Sequence, residues 1–181
     1  LKEYSPKKRY KLALFLPCAY GKPYSQSYIH YKLLGSLKKL GRKYGDIHQI
    51  IVTNAGIVPR ELEEYYPFCC YDWDPTFENS WIKARYTQVL AERLKKYIQA
   101  FKNYYENFAC YLRWNSDSYK SVKMVEHELH LKIPNLSLPT RKVSRSQIEK
   151  VSLGIYTDED LILITPTNLA NLVKKLRRLM E

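Results

Sequence analysis

The sequence predicts an α/β domain with a mostly parallel central sheet and flanking helices. Two observations carry this. Short apolar runs of strand length alternate with stretches whose apolar residues recur every three to four positions. The 181 residues are 45% hydrophobic with only 6 glycines and 9 prolines, which suits one domain with a sizeable core rather than a disordered or repetitive chain. No apolar run approaches the roughly 18 residues of a membrane span, so no membrane partner is expected.

The elements follow in order. YKLALFL, residues 10–16, is a continuous apolar run stopped by Pro17 and reads as a buried strand. Tyr28, Leu33, Leu34, Leu37 and Leu40 then recur at helical spacing over 25–41, with Ser25 or Ser27 as N-cap and Gly41 as the stop. IHQIIVTNAG, 47–56, reads as a second strand running into a turn, and 61–66 as a short helix stopped by Pro67. CCYDWDP reads as a third, shorter strand ending near Asp72, with an acidic and aromatic loop to Asn79. The longest helix spans about 80–107, with Ile82, Tyr86, Leu90, Leu94, Tyr97, Ile98 and Phe101 on one face. A strand follows at 108–114, then helix over 115–129 and a short helix within 144–154. DLILITP, 160–166, reads as a late strand, and Pro166 sits where the last helix, 167–180, begins.

The formal charge is +12, from 30 basic and 18 acidic residues, so a polyanion is the expected partner and nucleic acid leads the classes. Two basic patches stand out: Arg141, Lys142 and Arg145, and Lys174, Lys175, Arg177 and Arg178 near the end of the last helix. Some of the 17 tyrosines serve the core and others are available to stack on bases. Cys18, Cys69, Cys70 and Cys110 lack the CxxC spacing of a zinc site and read as free thiols in a reducing compartment. No secretory apolar segment follows the basic start, so a cytoplasmic protein is expected. The first residue is Leu rather than Met, which leaves room for residues upstream.

Two loops hold chemistry-bearing residues where strands end, the place where ligands bind in open α/β sheets. LPCAYGKPYSQSYIH, 16–30, is the first. Cys18 is a nucleophile if a nearby cation lowers its pKa, or otherwise a buried thiol. Lys22 can supply that cation, hold a phosphate, polarise a carbonyl or nitrile, or simply be solvated. Tyr24 can donate a hydrogen bond or stack. Ser25 and Ser27 lie at a helix start, as anion contacts or ordinary caps. His30, one turn in, faces back as an acid or base, or packs locally. The second loop is VTNAGIVPRELE. Thr53 and Asn54 end a strand, and Gly56 allows close approach of backbone to a ligand. Arg60 can grip a carboxylate or phosphate. Glu61 can orient an amine or act as a base, or belong to a solvated first turn. Asp72, Asp74 and Glu78 form an acidic cluster that suits magnesium or plain solvation, and no metal or other cofactor is assigned to it.

The first loop resembles the motif of the archaeosine synthase core domain, a family related to archaeal tRNA-guanine transglycosylases. Pro17, Cys18, Lys22, Pro23, Tyr24, Ser27 and His30 agree with it at all seven positions. The second loop is similar to another block of that domain at Val52, Thr53, Gly56, Val58, Pro59, Glu61, Leu62 and Glu63, and YDWD resembles the tyrosine-aspartate that follows. Where the family has a threonine-glycine segment, this chain has PTFENSW. The resemblance implies one core-like domain over 1–181, with 10–81 carrying the motifs, and a uracil-DNA glycosylase-like three-layer fold. It implies attachment of the ε-amine of free lysine to the nitrile of 7-cyano-7-deazaguanine at position 15 of archaeal tRNA. On that reading Cys18, Lys22, Tyr24 and His30 are catalytic, and Ser27, Thr53, Asn54, Gly56, Arg60, Glu61 and Asp72 bind substrate. The expected partners are tRNA, free lysine and, for so short a chain, a separate transglycosylase-like or PUA-domain protein. The competing expectation is a non-catalytic nucleic-acid-binding or structural subunit that relies on the two basic patches.

Overall fold

A computed structural model describes residues 3–53, 56–65 and 79–181. Among the described residues four strands form one open, mixed sheet: β1 (Tyr10–Pro17), β2 (Ile47–Thr53), β3 (Gly56–Pro59) and β4 (Tyr105–Cys110), in the order β3-β2-β1-β4. β1 is central and parallel to both neighbours, in register from Leu12 with Ile47 to Pro17 with Val52 on one side and from Tyr10 with Tyr105 on the other. β3 turns back antiparallel along β2, pairing Thr53 with Gly56 and Ile50 with Pro59.

Among the described residues five α-helices accompany the sheet: α1 (Tyr28–Leu37), α2 (Ser80–Phe101), α3 (Asp117–Glu128), α4 (Arg145–Ser152) and α5 (Pro166–Leu179). The two-residue period of β1 divides its apolar run between two cores. Leu12, Leu14 and Leu16 pack with Leu33 and Leu37 of α1 and Leu172 and Leu176 of α5. Ala13 and Phe15 pack with Leu90, Leu94 and Ile98 of α2 and Val122 and Val125 of α3. Both faces are therefore covered, which is why β1 reads as continuously apolar rather than alternating. Each fully buried leucine contributes about 1.5–3 kcal/mol of transfer free energy. The result is a three-layer α/β arrangement.

Several predicted boundaries shift. The helix expected over 25–41 is three pieces: a 3-10 turn at Tyr24–Gln26, α1, and a 3-10 stretch at Lys38–Asp46 broken at Gly41, whose φ of 60° and ψ of −128° leave the helical region. α2 stops at Phe101, and β4 begins at Tyr105, three residues before the expected strand, because Tyr105 is buried in the sheet. The short helix expected over 61–66 is a single 3-10 turn, Arg60–Leu62. DLILITP is not a strand. Glu159–Ile164 form a 3-10 helix capped by Asp158. Leu161 to Ile164 are all buried, so burial of the run does not require a sheet. The carbonyl of Ile162 accepts from the side chains of Thr165 and Asn168, and that of Leu163 from Tyr111, in place of strand partners. A short apolar run alone does not distinguish the two outcomes. The strand expected near 68–72 and the acidic loop after it lie outside the described residues, as do Cys69 and Cys70.

β1 leads to β2 on one side, and the chain later returns to β4 on the other, so strand order reverses at β1. The segment after β1 and the segment after β4 flank that switch point, where open α/β sheets bind ligands.

Candidate functional site

Pro17 ends β1, and the chain wraps into a small loop around its own carbonyls. Lys22 Nζ donates to the carbonyl oxygens of Ala19, at 2.5 Å, and Tyr20, at 3.2 Å. The same ammonium lies over the Tyr24 ring, 4.6 Å from its centre, a cation–π contact with a fully buried phenol. Cys18 Sγ is 3.8 Å from the Ala19 carbonyl oxygen and 4.0 Å from Tyr24 Oη. Thiol, ammonium and phenol thus gather around one short turn at the carboxyl end of the central strand. Ser27 fixes the exit from that turn. Its Oγ donates to the Tyr24 carbonyl at 2.8 Å and accepts the His30 amide at 3.3 Å, acting as N-cap of α1.

The second predicted loop holds the first in place. His30 is fully buried; its Nε2–H donates to the Pro17 carbonyl at 2.8 Å, and its Nδ1 accepts from Arg60 Nη2 at 2.8 Å. A carbonyl only accepts and a guanidinium only donates, so these neighbours select one neutral tautomer. Burial first, then the Arg60 charge, push the His30 pKa down to about 3. Arg60 also donates through Nη1 to Glu63, at 2.9 Å, and through Nε to Gln49, at 3.2 Å. Glu63 in turn accepts the Ser25 amide at 3.0 Å. The clamp Ser25–Glu63–Arg60–His30 ties the turn after β3 to the loop after β1, and gives the two motifs a physical reason to occur together.

Arg60 and Glu61 reach opposite faces of the sheet. β3 carries the chain back along β2, so the two sit beside Gln49 and His48, whose side chains point to opposite faces of the sheet. Glu61 enters a second polar network on the α2 face. It accepts from His48 Nε2, at 3.0 Å, and from Tyr4 Oη, at 2.9 Å. His48 Nδ1 is 2.7 Å from Tyr105 Oη, which is 2.8 Å from Tyr97 Oη, and the Tyr10 ring stacks on His48 at 4.5 Å. Burial works to raise the Glu61 pKa, but the hydrogen bonds from His48 and Tyr4 outweigh it and hold the carboxyl at about 2. The sequence reading missed this network. Its visible signals were Glu61, already a candidate, and His48, a titratable residue inside the buried strand IHQIIVT.

Thr53 is buried, and its Oγ1 accepts the Gly56 amide at 2.9 Å. Gly56 has φ of 150°, so the backbone itself requires glycine there. Asn54 and Asp72 lie outside the described residues. The basic residues divide. Arg141 and Lys142 are exposed on a 3-10 turn, and Arg145 pairs with Glu149. Lys175 lies near Lys142 and reaches the Asn135 carbonyl, whereas Lys174, Arg177 and Arg178 line a groove beside α1. Among the described residues, no three His, Cys, Asp or Glu side chains cluster to hold a metal ion, and no helix is long and apolar enough to cross a membrane.

The chain is 53% identical to archaeosine synthase subunit alpha of Thermoplasma acidophilum over 62 residues, which is 34% of this chain and 12% of that protein. It is 40% identical to archaeosine synthase subunit alpha of Methanosarcina acetivorans over 94 residues, 48% of this chain and 14% of that protein. The chain thus matches only about an eighth of these relatives' length. The similarities support the resemblance drawn from the two motifs. The crystal structure of AF0587, a protein of unknown function, aligns with a TM-score of 0.49 at 21% identity over 85% of this chain and 49% of that one. The family model described as a domain of unknown function, DUF5591, matches residues 1–153, and with most of its length matched the chain belongs to that family.

Proposed function

We propose that this chain is the reacting domain of a tRNA-modifying transferase of the archaeosine synthase type. It joins the ε-amine of free lysine to the nitrile of 7-cyano-7-deazaguanine in tRNA. The supporting observation is the gathering of Cys18, Lys22 and Tyr24 around one turn at the switch point of the sheet. The similarity to archaeosine synthase subunit alpha supplies the substrate class.

The reaction is an addition. The amine nitrogen bonds to the nitrile carbon, one carbon–nitrogen π bond opens, and an amine proton passes to the former nitrile nitrogen, giving an amidine. The net reaction releases nothing and changes no oxidation state. The barrier lies in negative charge developing on the nitrile nitrogen and in the need for a neutral amine. Lys22 is the fixed positive charge facing that nitrogen, pre-organised by two carbonyls and an aromatic face. Tyr24 supplies an O–H beside Cys18. Cys18 adds first to the nitrile as a thioimidate, which the amine then converts to the amidine with return of the thiol.

His30 and Arg60 take positioning roles in this proposal. Their polar atoms face each other, Pro17, Gln49 and Glu63, and hold the reacting turn against the sheet. Glu61 acts on the opposite face as a fold-stabilising carboxylate. The remaining parts of the reading are a uracil-DNA glycosylase-like fold, a cytoplasmic setting, and a transglycosylase-like or PUA-domain partner for the rest of the tRNA. The test is incubation of the protein with labelled lysine and tRNA bearing the nitrile base, followed by digestion and mass spectrometry. A nucleoside heavier by one lysine is the expected product. Its absence with candidate partners present, alongside tight tRNA binding, would favour a binding subunit.

A further inference from the structure

A groove of about 1340 Å³ runs between α1 and α5, outside the reacting turn. Lys32, Lys38 and Lys39 line one wall, Lys174, Arg177 and Arg178 the other, and Lys150 of α4 stands at the edge; Glu181 is the one carboxylate among its lining residues. Leu34, Leu169 and Val173 supply apolar surface within it. Tyr31, also lining the groove, is 68% exposed.

Two features separate this surface from a generally basic background. Five basic residues outside the groove, Lys95, Arg113, Lys120, Lys123 and Arg145, form ion pairs. Among the described residues none of the seven groove cations forms one. Lys174 and Arg178 are also four residues apart on one helix, a like-charge spacing that a helix disfavours without a compensating anion. The second feature is continuity with the reacting turn. Ser25 lines the groove, and its amide is held by Glu63 of the clamp. A chain lying in the groove therefore ends at the loop of Cys18 and Lys22.

We infer that this groove carries a stretch of RNA backbone, with phosphates between the α1 and α5 cations and a base available to stack on Tyr31. The inference rests on the tRNA reading above and adds the surface that meets the RNA. A concave, two-walled cationic channel with an exposed aromatic fits a phosphate chain better than a flat lipid surface.

The test uses the 181-residue chain and a tRNA transcript, with affinity measured by fluorescence anisotropy from 50 to 200 mM salt. The groove variant is Lys38→Gln/Lys39→Gln/Lys174→Gln. The control, Lys11→Gln/Lys96→Gln/Lys102→Gln, makes the same change of net charge away from the groove. Loss of three phosphate contacts makes the slope of log affinity against log salt shallower by about 2 to 3, with affinity at least about tenfold weaker at 0.1 M salt. The control stays within about twofold, and circular dichroism confirms that both variants fold. Equal weakening in the two variants, or none in either, overturns the groove. So does a parent chain that prefers phosphatidylserine vesicles to tRNA. If the chain ignores tRNA yet adds lysine to the free nitrile nucleoside, the groove falls and the transferase reading stands. If RNA binding follows the groove but lysine is never transferred, the groove stands and the transferase reading falls.

Discussion

Lowering the pH should loosen this protein through His30. In the folded chain its Nδ1 faces the Arg60 guanidinium and its Nε2–H is taken by the Pro17 carbonyl, so a second ring proton meets a cation in a buried site. The folded pKa is pushed down to about 3, against about 6.5 for an unfolded histidine. Between those values the unfolded chain binds more protons, so stability is full above pH 6.5 and falls as pH drops toward 3. The slope approaches about 1.4 kcal/mol per pH unit, and the loss is about 2 kcal/mol at pH 5.0. For a chain of this size that lowers Tm by about 4–8 °C. The comparison is His30→Gln, whose amide can donate to Pro17 and accept from Arg60 without titrating. Thermal melts by circular dichroism at pH 7.5, 6.5, 5.5 and 5.0 give the parent-minus-variant difference, in which other titrations cancel. That difference should grow by about 2 kcal/mol across the series. An equal fall in Tm for parent and His30→Gln would refute the buried, clamped histidine.

Two further outcomes follow from the same geometry. Tyr105→Phe removes the hydroxyl between His48 Nδ1 and Tyr97 Oη, and should destabilise by about 1–3 kcal/mol in urea titration by leaving buried polar atoms unpaired. A variant as stable as the parent would mean the network contributes nothing. Cys18→Ala should abolish lysine transfer while leaving the melting temperature within about 2 °C, because the thiol is half-buried and its contacts to the Ala19 carbonyl and Tyr24 Oη are long. Retained transfer would remove the thioimidate step.

The α/β class was legible because β1 is a long apolar run ended by Pro17 and the helices around it keep a 3.6-residue period. The turn after β1 was legible for a related reason, since Pro17, Pro23 and the capping Ser27 punctuate it. What stayed hidden depends on tertiary partners. The run Leu161–Ile164 is apolar enough for a strand, but side chains from elsewhere occupy its carbonyls. Arg60 and Glu61 are adjacent in sequence and reach opposite faces, because the turn after β3 sets them against Gln49 and His48, consecutive residues of β2. His30 has the composition of an acid–base residue; only the positions of Pro17 and Arg60 around it show that both ring nitrogens are engaged. The link from Tyr4 to Tyr97 through Glu61, His48 and Tyr105 joins segments far apart in sequence, and of its members only Glu61 stood out as a candidate beforehand.

The role of Lys22 in polarising the nitrile as Cys18 adds to it is read out by single-turnover lysine incorporation into nitrile-bearing tRNA, comparing the parent with Lys22→Gln. The parent should form a lysine adduct, and the variant should do so at a rate at least about 100-fold lower, the cost of removing one pre-organised charge contact, with tRNA affinity little changed. An adduct formed at the parent's rate by Lys22→Gln would contradict that role.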